Sequence, residues 1–433
     1  MTQIAVVINR KFPDLFQKLS ELPDYRKKPQ YEVQELIFSG LLMFLFKQQS
    51  RNSADNTAKN LDYQDNIKCI FGVRVADMDT VDLLLRQLDP SELNLIKQDM
   101  FRELVKSKSL QKFKFNGQYF LLSIDGTGLQ SYDYEPYPGC PFKEYKNDKK
   151  VWTAYVLEAK IIGSNGFSLS LETEWIENPK EEEFIKQDCE FKAFKRLSER
   201  LKKNFPRLAL LILLDGLYPK EPIFTICKNN NWRYIITLKD KSLKSVQQEI
   251  ADRLLFKNYQ RGNFYTASTT HWTKEEYKYF EAIQYRTHDL YILESLVEEK
   301  HRKTKQIELT RFVYVTDIKL NPKNLRQISE TGRLRWKIEN EGFNNQKNSG
   351  YNMSHKFSRS NFNATKNYYS LLQIADIINQ LTYKGNLIRS FANKYDLTVK
   401  SILDMIFSYI GSFLFDDIAL LEEFKNTKVQ LRY

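Results

Sequence analysis

Tyr119-Phe120-Leu121-Leu122-Ser123-Ile124-Asp125-Gly126 and Leu208-Ala209-Leu210-Leu211-Ile212-Leu213-Leu214-Asp215-Gly216 share one pattern, an apolar run that meets an acid followed by glycine. Runs this short and this apolar read as strands covered on both faces, which places them in the middle of a sheet. Between them, Val151 to Ile162 and Phe167 to Ile176 alternate as strands around the turn Gly163-Ser164-Asn165-Gly166. Glu181 to Asn204 has helical periodicity, with Phe184, Cys189, Phe191, Phe194, Leu197 and Leu201 on or near one face. A short helix from about Lys220 to Asn229 and the strand Trp232 to Leu238 follow. The order predicts an α/β layer that begins with a three-stranded meander.

Outward from this centre, residues 1–112 read as a helical N-terminal domain. Leu36 to Phe46 is the most apolar window, yet eleven residues are too few to cross a bilayer, so a buried helix is expected. Asp79 or Thr80 is read as the cap of one helix, and Asp89-Pro90 as the start of another that runs to about Lys108. Residues 241–320 read as a β-rich insertion, with strands Phe264 to Thr270, Tyr277 to Thr287, Leu290 to Val297 and Thr310 to Ile318. It is longer than an ordinary loop and is expected to have structure of its own. Asn324 to Asn345 is predicted to be one helix. Residues 361–433 read as a helical C-terminal region, with helices over Asn363 to Leu387 and Val399 to Phe424. The α/β layer thus occupies residues 113–240 and 321–360.

The 433 residues carry 66 Lys and Arg against 54 Asp and Glu, a net charge of +12. That balance favours a polyanionic partner, since phosphate neutralisation with counterion release drives nucleic-acid binding. A membrane surface is the competing partner, but it calls for a basic amphipathic helix or a lipid anchor. The opening segment has no basic region followed by a cleavable apolar one, so no signal peptide is expected. Cys69, Cys140, Cys189 and Cys227 are scattered without a CxxC pair. Free thiols in a reducing cytoplasm fit better than a zinc cluster.

Two acids at the ends of buried strands stand where ligands gather in open α/β sheets. If the strands are neighbours, Asp125 and Asp215 are rooted roughly 5 Å apart, the inter-strand spacing. Carboxylates so close repel unless a cation neutralises both, and hard oxygen donors favour Mg²⁺ or Mn²⁺. The plainer reading is that each Asp-Gly makes a turn. Further on, Arg335 and Glu339 stand at i and i+4 of a helix whose inner face carries Leu334, Ile338 and Phe343. A surface ion pair explains that spacing. So does a metal-binding Glu beside a phosphate-binding Arg.

With these residues in view, the chain resembles bacterial insertion-sequence transposases of the DDE class, in the group marked by a Y-x2-R-x3-E-x6-K signature. The similarity covers residues 113–382, including Gln187-Asp188-Cys189-Glu190, Asp215-Gly216-Leu217-Tyr218-Pro219 and Gly350-Tyr351-Asn352-Met353-Ser354-His355. It implies a ribonuclease-H-like mixed sheet with flanking helices, a β-rich insertion before the last catalytic helix, and the triad Asp125, Asp215 and Glu339. Two Mg²⁺ or Mn²⁺ ions on that triad would serve cleavage of transposon inverted-repeat ends and their joining to target DNA. The partner is then double-stranded DNA, held by a homodimer in a synaptic complex in the cytoplasm, at the nucleoid. Arg335, Lys347 and Lys337 are the expected phosphate contacts. Trp272 is the residue for stacking on a base, against the plainer reading of a packed core residue. Two departures stand out. Gly332 occupies the signature tyrosine position, and Gln346 the lysine position, with Lys347 one residue late. His355 is read as structural or as a DNA contact. A metal-dependent nuclease of the same core and a catalytically inactive nucleic-acid-binding derivative are the competing functions.

Overall fold

In the computed structural model, residues 2–146, 149–177, 186–359 and 361–412 are described. The strands are β1 (Phe120–Tyr132), β2 (Phe142–Glu144), β3 (Lys150–Ile162), β4 (Ser168–Ile176), β5 (Leu210–Leu214), β6 (Arg233–Thr237), β7 (Gln260–Ala267), β8 (His271–Tyr285), β9 (His288–His301) and β10 (Ile307–Thr316). They form one mixed sheet in the order β2-β3-β1-β5-β6-β10-β9-β8-β7, with β4 also paired to β3. Helices flank it. The chain divides into two compact units, one of residues 1–112, 126–189 and 340–433 and one of residues 113–125 and 190–339.

In the first unit, helices at Thr2–Lys11, Leu15–Ser20, Val33–Leu45, Arg51–Ala58, Leu61–Phe71, Met78–Gln87 and Pro90–Lys106 precede the sheet strands. Helix Val33–Leu45 is buried on all sides, which is why its sequence lacks a polar face. It packs on helix Phe362–Tyr383, the central element of the unit, which also meets helices Met78–Gln87 and Pro90–Lys106 and strand β4. Gly40 permits the close crossing, because a Cβ there would lie 2.8 Å from Leu371 Cδ1. The cap of helix Met78–Gln87 is Asp77, whose carboxylate accepts the Thr80 N–H, so the expected cap at Asp79 or Thr80 is two to three residues late. Asp89 caps the next helix as expected, with Pro90 at its first position.

In the second unit, β1 and β5 pair in parallel, as do β5 and β6. Antiparallel β10 joins β6, and β9, β8 and β7 follow as a meander. The β-rich segment therefore extends the main sheet through β10 instead of standing apart. Its strands run longer than the alternation suggested, and a helix, Lys244–Leu255, precedes them where only strands were expected. The core side chains Leu122, Ile124, Ile212, Leu213, Tyr234 and Ile236 are all at most 3% exposed, and each such residue contributes about 1.5–3 kcal/mol.

Three other expectations change. Strand β1 does not stop at Asp125; it continues through Gly126 and Gly128 to Tyr132, because this half finds a sheet partner in β3. The helix expected over 324–345 is interrupted: α-helix at Leu325–Arg333, 3₁₀ at Leu334–Trp336, π-helix at Ile338–Asn344 and α-helix again at Asn345–Asn348. The helix expected over 363–387 ends at Tyr383, and a second begins at Asn386. Of the last helix, Val399–Ile410 is described and residues 413–424 lie outside the described residues, as does the 181–185 part of the helix that begins at Lys186 here. Among the described residues no helix is long and apolar enough to cross a membrane.

Candidate active site

The β1–β5 register is Phe120↔Leu210, Leu121↔Leu211, Leu122↔Ile212 and Ser123↔Leu213. Carried two residues further, it sets Asp125 beside Asp215 at the carboxyl end of the parallel pair, one inter-strand spacing of about 4.8 Å away. β5 ends at Leu214 and the chain turns. Asp215 Oδ1 accepts the Leu217 N–H at 2.9 Å, and the Asp215 carbonyl accepts the Tyr218 N–H at 3.2 Å. That is the Asp-led turn the sequence suggested. The same bond fixes the carboxylate.

Arg335 links the third acid to the first. Its guanidinium donates to Glu339 Oε1 at 2.8 Å and lies 3.5 Å from Asp125 Oδ2. The Arg335 side chain is 7% exposed, whereas Asp125 and Glu339 are 21% and 37% exposed, so a buried cation faces two carboxylates that reach solvent; Asp215, 23% exposed, faces Lys239. Ser123 Oγ donates to the Arg335 carbonyl at 3.3 Å, tying the 3₁₀ turn to β1. Lys337 is half-buried in the step between that turn and the π-helix. Among the described residues no three His, Cys, Asp or Glu side chains gather as a metal site, and Glu339 is held on Arg335. The adjacent pair Asp125 and Asp215 has the hard oxygen donors that Mg²⁺ or Mn²⁺ prefers.

Two neighbours of Asp215, Lys239 and Tyr218, escaped the sequence reading. Lys239, two residues past β6, reaches to 3.8 Å from Asp215 Oδ2, with its stem laid over Gly216. A lysine just beyond the carboxyl end of a neighbouring parallel strand is the signal that would have found it. Tyr218 and Glu190 are buried at 4% and 6% exposure. Burial pushes the Tyr218 phenol well above the usual tyrosine range, and the negative charges of Glu190, Asp125 and Asp215 push it further.

The interrupted helix changes the status of two signature positions. A π-turn holds one more residue than an α-turn. Past the π segment, a residue eight positions after Glu339 therefore takes the angular place that the seventh has on an unbroken α-helix. That residue is Lys347, and its Nζ donates to Thr127 Oγ1 at 2.8 Å; burial lowers its pKa. Gln346 turns inward instead, fully buried, donating to Gln373 Oε1 at 3.0 Å and to Asp376 Oδ2 at 2.7 Å. The absent tyrosine side chain at Gly332 also has a physical reason. A Cβ there would lie 2.6 Å from the ring of Tyr314, which fills the space from strand β10.

Trp272 is not a core residue. It is 56% exposed on β8, paired with Lys300 of β9, and the Arg302 guanidinium lies 4.4 Å from its ring centroid. An exposed indole in a basic setting is a stacking surface. Trp272→Ala is expected to leave thermal stability within about 0.5 kcal/mol and to weaken single-stranded DNA binding by roughly 1–3 kcal/mol. Melting curves and fluorescence anisotropy read the two effects separately.

His355 makes its contacts within the first unit. Its carbonyl accepts from Gln130 at 2.7 Å, its ring meets Phe357 edge-on, and burial with Arg359 holds its pKa below 6.5. A cleft of about 430 Å³, lined among others by Tyr119, Arg233, His288 and Asp317, opens where β1 and β6 begin, at the opposite end of those strands from the acids. In comparisons with known proteins, no family model and no curated protein matches the chain.

Proposed function

We propose that the chain is a DNA transposase of the DDE class, which cleaves transposon ends and joins them to target DNA on a ribonuclease-H-like core. The observation that carries this reading is the parallel pairing of β1 and β5, whose register up to Ser123↔Leu213 runs toward Asp125 and Asp215, with Arg335 bonded to Glu339 and reaching Asp125. The strand order β4-β3-β1-β5-β6, the net charge of +12 and the angular place of Lys347 support it.

Asp125 and Asp215 would hold the divalent cations, and Glu339 would complete the set. Bound there, such ions lower the pKa of a water or 3′-hydroxyl nucleophile and stabilise the departing oxygen. The chain's own contribution begins with Arg335. A scissile phosphate competes with Glu339 and Asp125 for its planar fork, and bidentate Arg–phosphate contact is strong. As Arg335 exchanges partners, the Glu339 carboxylate is released toward the other two acids. Lys347 and Lys337 add positive charge for the strand's phosphates. Binding of the DNA is thereby linked to completion of the acid triad.

A second reading, a catalytically inactive nucleic-acid-binding derivative, is favoured by the Arg335–Glu339 bond, which already satisfies the third acid. The two readings and a simple nuclease separate in one assay. The DNA ends flanking the reading frame are incubated with a target plasmid and Mg²⁺. Joined products are expected. Cleavage without joining would indicate a nuclease, and binding alone the inactive derivative.

A further inference from the structure

We infer that residues 386–410 form a helix-turn-helix unit that reads duplex DNA, with helix Val399–Ile410 as the element that enters the major groove. The inference shares a DNA partner with the proposed function but makes no use of the acid site. The stretch Ala392-Asn393-Lys394-Tyr395-Asp396-Leu397-Thr398-Val399-Lys400-Ser401 sets a helix stop and a helix start three residues apart. Helix Asn386–Tyr395 ends at Asp396, which is left-handed at φ 52° and ψ 43°. The N–H groups of Asp396 and Leu397 both turn back to the Ala392 carbonyl, which closes the first helix. Aspartate is among the few residues besides glycine that take this conformation readily. Thr398 then caps the second helix, its Oγ1 accepting the Ser401 N–H at 3.1 Å. Two helices joined by so short a turn, with a left-handed residue in it, are the framework of the DNA-reading motif.

The second observation is how the unit is held. Ile388, Ile402 and Ile410 are buried, so each helix has an inward face. The C-terminal end of helix Val399–Ile410 is tied down: the Ile410 carbonyl accepts from Asn66 Nδ2 at 2.8 Å and the Gly411 carbonyl from Asn60 Nδ2 at 2.9 Å. Its other end is open to solvent. Lys394, Tyr395, Asp396 and Thr398 are all exposed around the turn, with the Lys394 ammonium 5.1 Å from the Tyr395 ring centroid. Lys400 stands in the first turn of the second helix. A helix rooted at its C-terminal end, with a basic and accessible N-terminal end, has the disposition in which its first residues reach base edges. Two roles follow. Lys400 reads a guanine edge in the major groove, and Lys394 holds a neighbouring phosphate.

The test is fluorescence anisotropy of the full chain, without divalent cations, on two labelled duplexes. One is the DNA end flanking the reading frame, and the other is a scrambled duplex of the same length and composition. The parent is expected to prefer the first by about tenfold or more. Lys400→Ala is expected to weaken binding to the end duplex about tenfold and to the scrambled duplex by less than about threefold, since a base contact carries preference and a phosphate contact does not. Asp396→Val puts a β-branched residue in the left-handed position and should also lose the preference, whereas Asp396→Gly should keep it. If the parent shows no preference, or if Lys400→Ala and Asp396→Val both retain it, the inference is overturned; cleavage that depends on Asp125 would leave the proposed function standing. If the parent binds neither duplex, both fall. Should Asp396→Val fail to melt cooperatively, Lys400→Ala decides, since it alters no turn residue.

Discussion

Arg335→Ala is expected to lower Mg²⁺-dependent DNA cleavage by about 10²–10³-fold, the cost of losing one preorganised donor at a reacting centre. The residue is buried, and its guanidinium lies 2.8 Å from Glu339 and 3.5 Å from Asp125. Breaking a fully buried pair costs about 3–5 kcal/mol, but these carboxylates reach solvent, so a stability loss of about 1–2 kcal/mol is the expected scale. Arg335→Lys keeps the charge and loses the fork, and should recover stability more than cleavage. The two quantities separate the roles. Chemical denaturation gives the first and cleavage under single-turnover conditions the second. Full cleavage by Arg335→Ala would remove Arg335 from the proposed chemistry.

Gly332→Ala is expected to destabilise the protein by about 1–3 kcal/mol, because the added methyl group meets the Tyr314 ring at 2.6 Å. Neither neighbour yields easily: Tyr314 is 3% exposed between sheet and helix, and Gly332 lies within helix Leu325–Arg333. Gly332→Tyr, which restores the signature residue, should not fold in the parent background. Tyr314→Ala alone should cost about 3–5 kcal/mol through the cavity it leaves. The pair Gly332→Tyr with Tyr314→Ala should be less damaging than the sum, by a coupling energy of about 0.5–3 kcal/mol. Additive losses in that double-mutant cycle would mean the two positions do not share one space.

Much of this was legible in the sequence because it depends on local periodicity. The apolar run Leu208 to Leu214 and the alternation around Gly163 to Gly166 give strands at β5, β3 and β4. Asp215 follows its strand, and its side chain caps the turn as Asp does. What was not legible depends on contacts far apart in sequence. Asp125-Gly126 looks like a strand end, and only pairing to β3 carries β1 onward to Tyr132. The break in the helix around Ile338–Asn344 has no proline to announce it, yet it moves Lys347 by one residue of helical phase. The filling of Gly332's space by Tyr314, from another strand, cannot be read from either position alone. Trp272 has the plainer reading of a packed core residue in the sequence, but its place near the start of β8, beside Lys300, leaves it open to solvent.

The central claim is that Asp125, Asp215 and Glu339 act together as the acids of a DNA-cleaving site. The most direct measurement is Mg²⁺-dependent cleavage of the flanking DNA ends by Asp125→Asn, Asp215→Asn and Glu339→Gln, each checked for a parent-like melting curve. Every variant is expected to lose about 10³-fold or more in cleavage, since residues acting as one unit fail together. Parent-level cleavage by any folded member of the three would contradict the account.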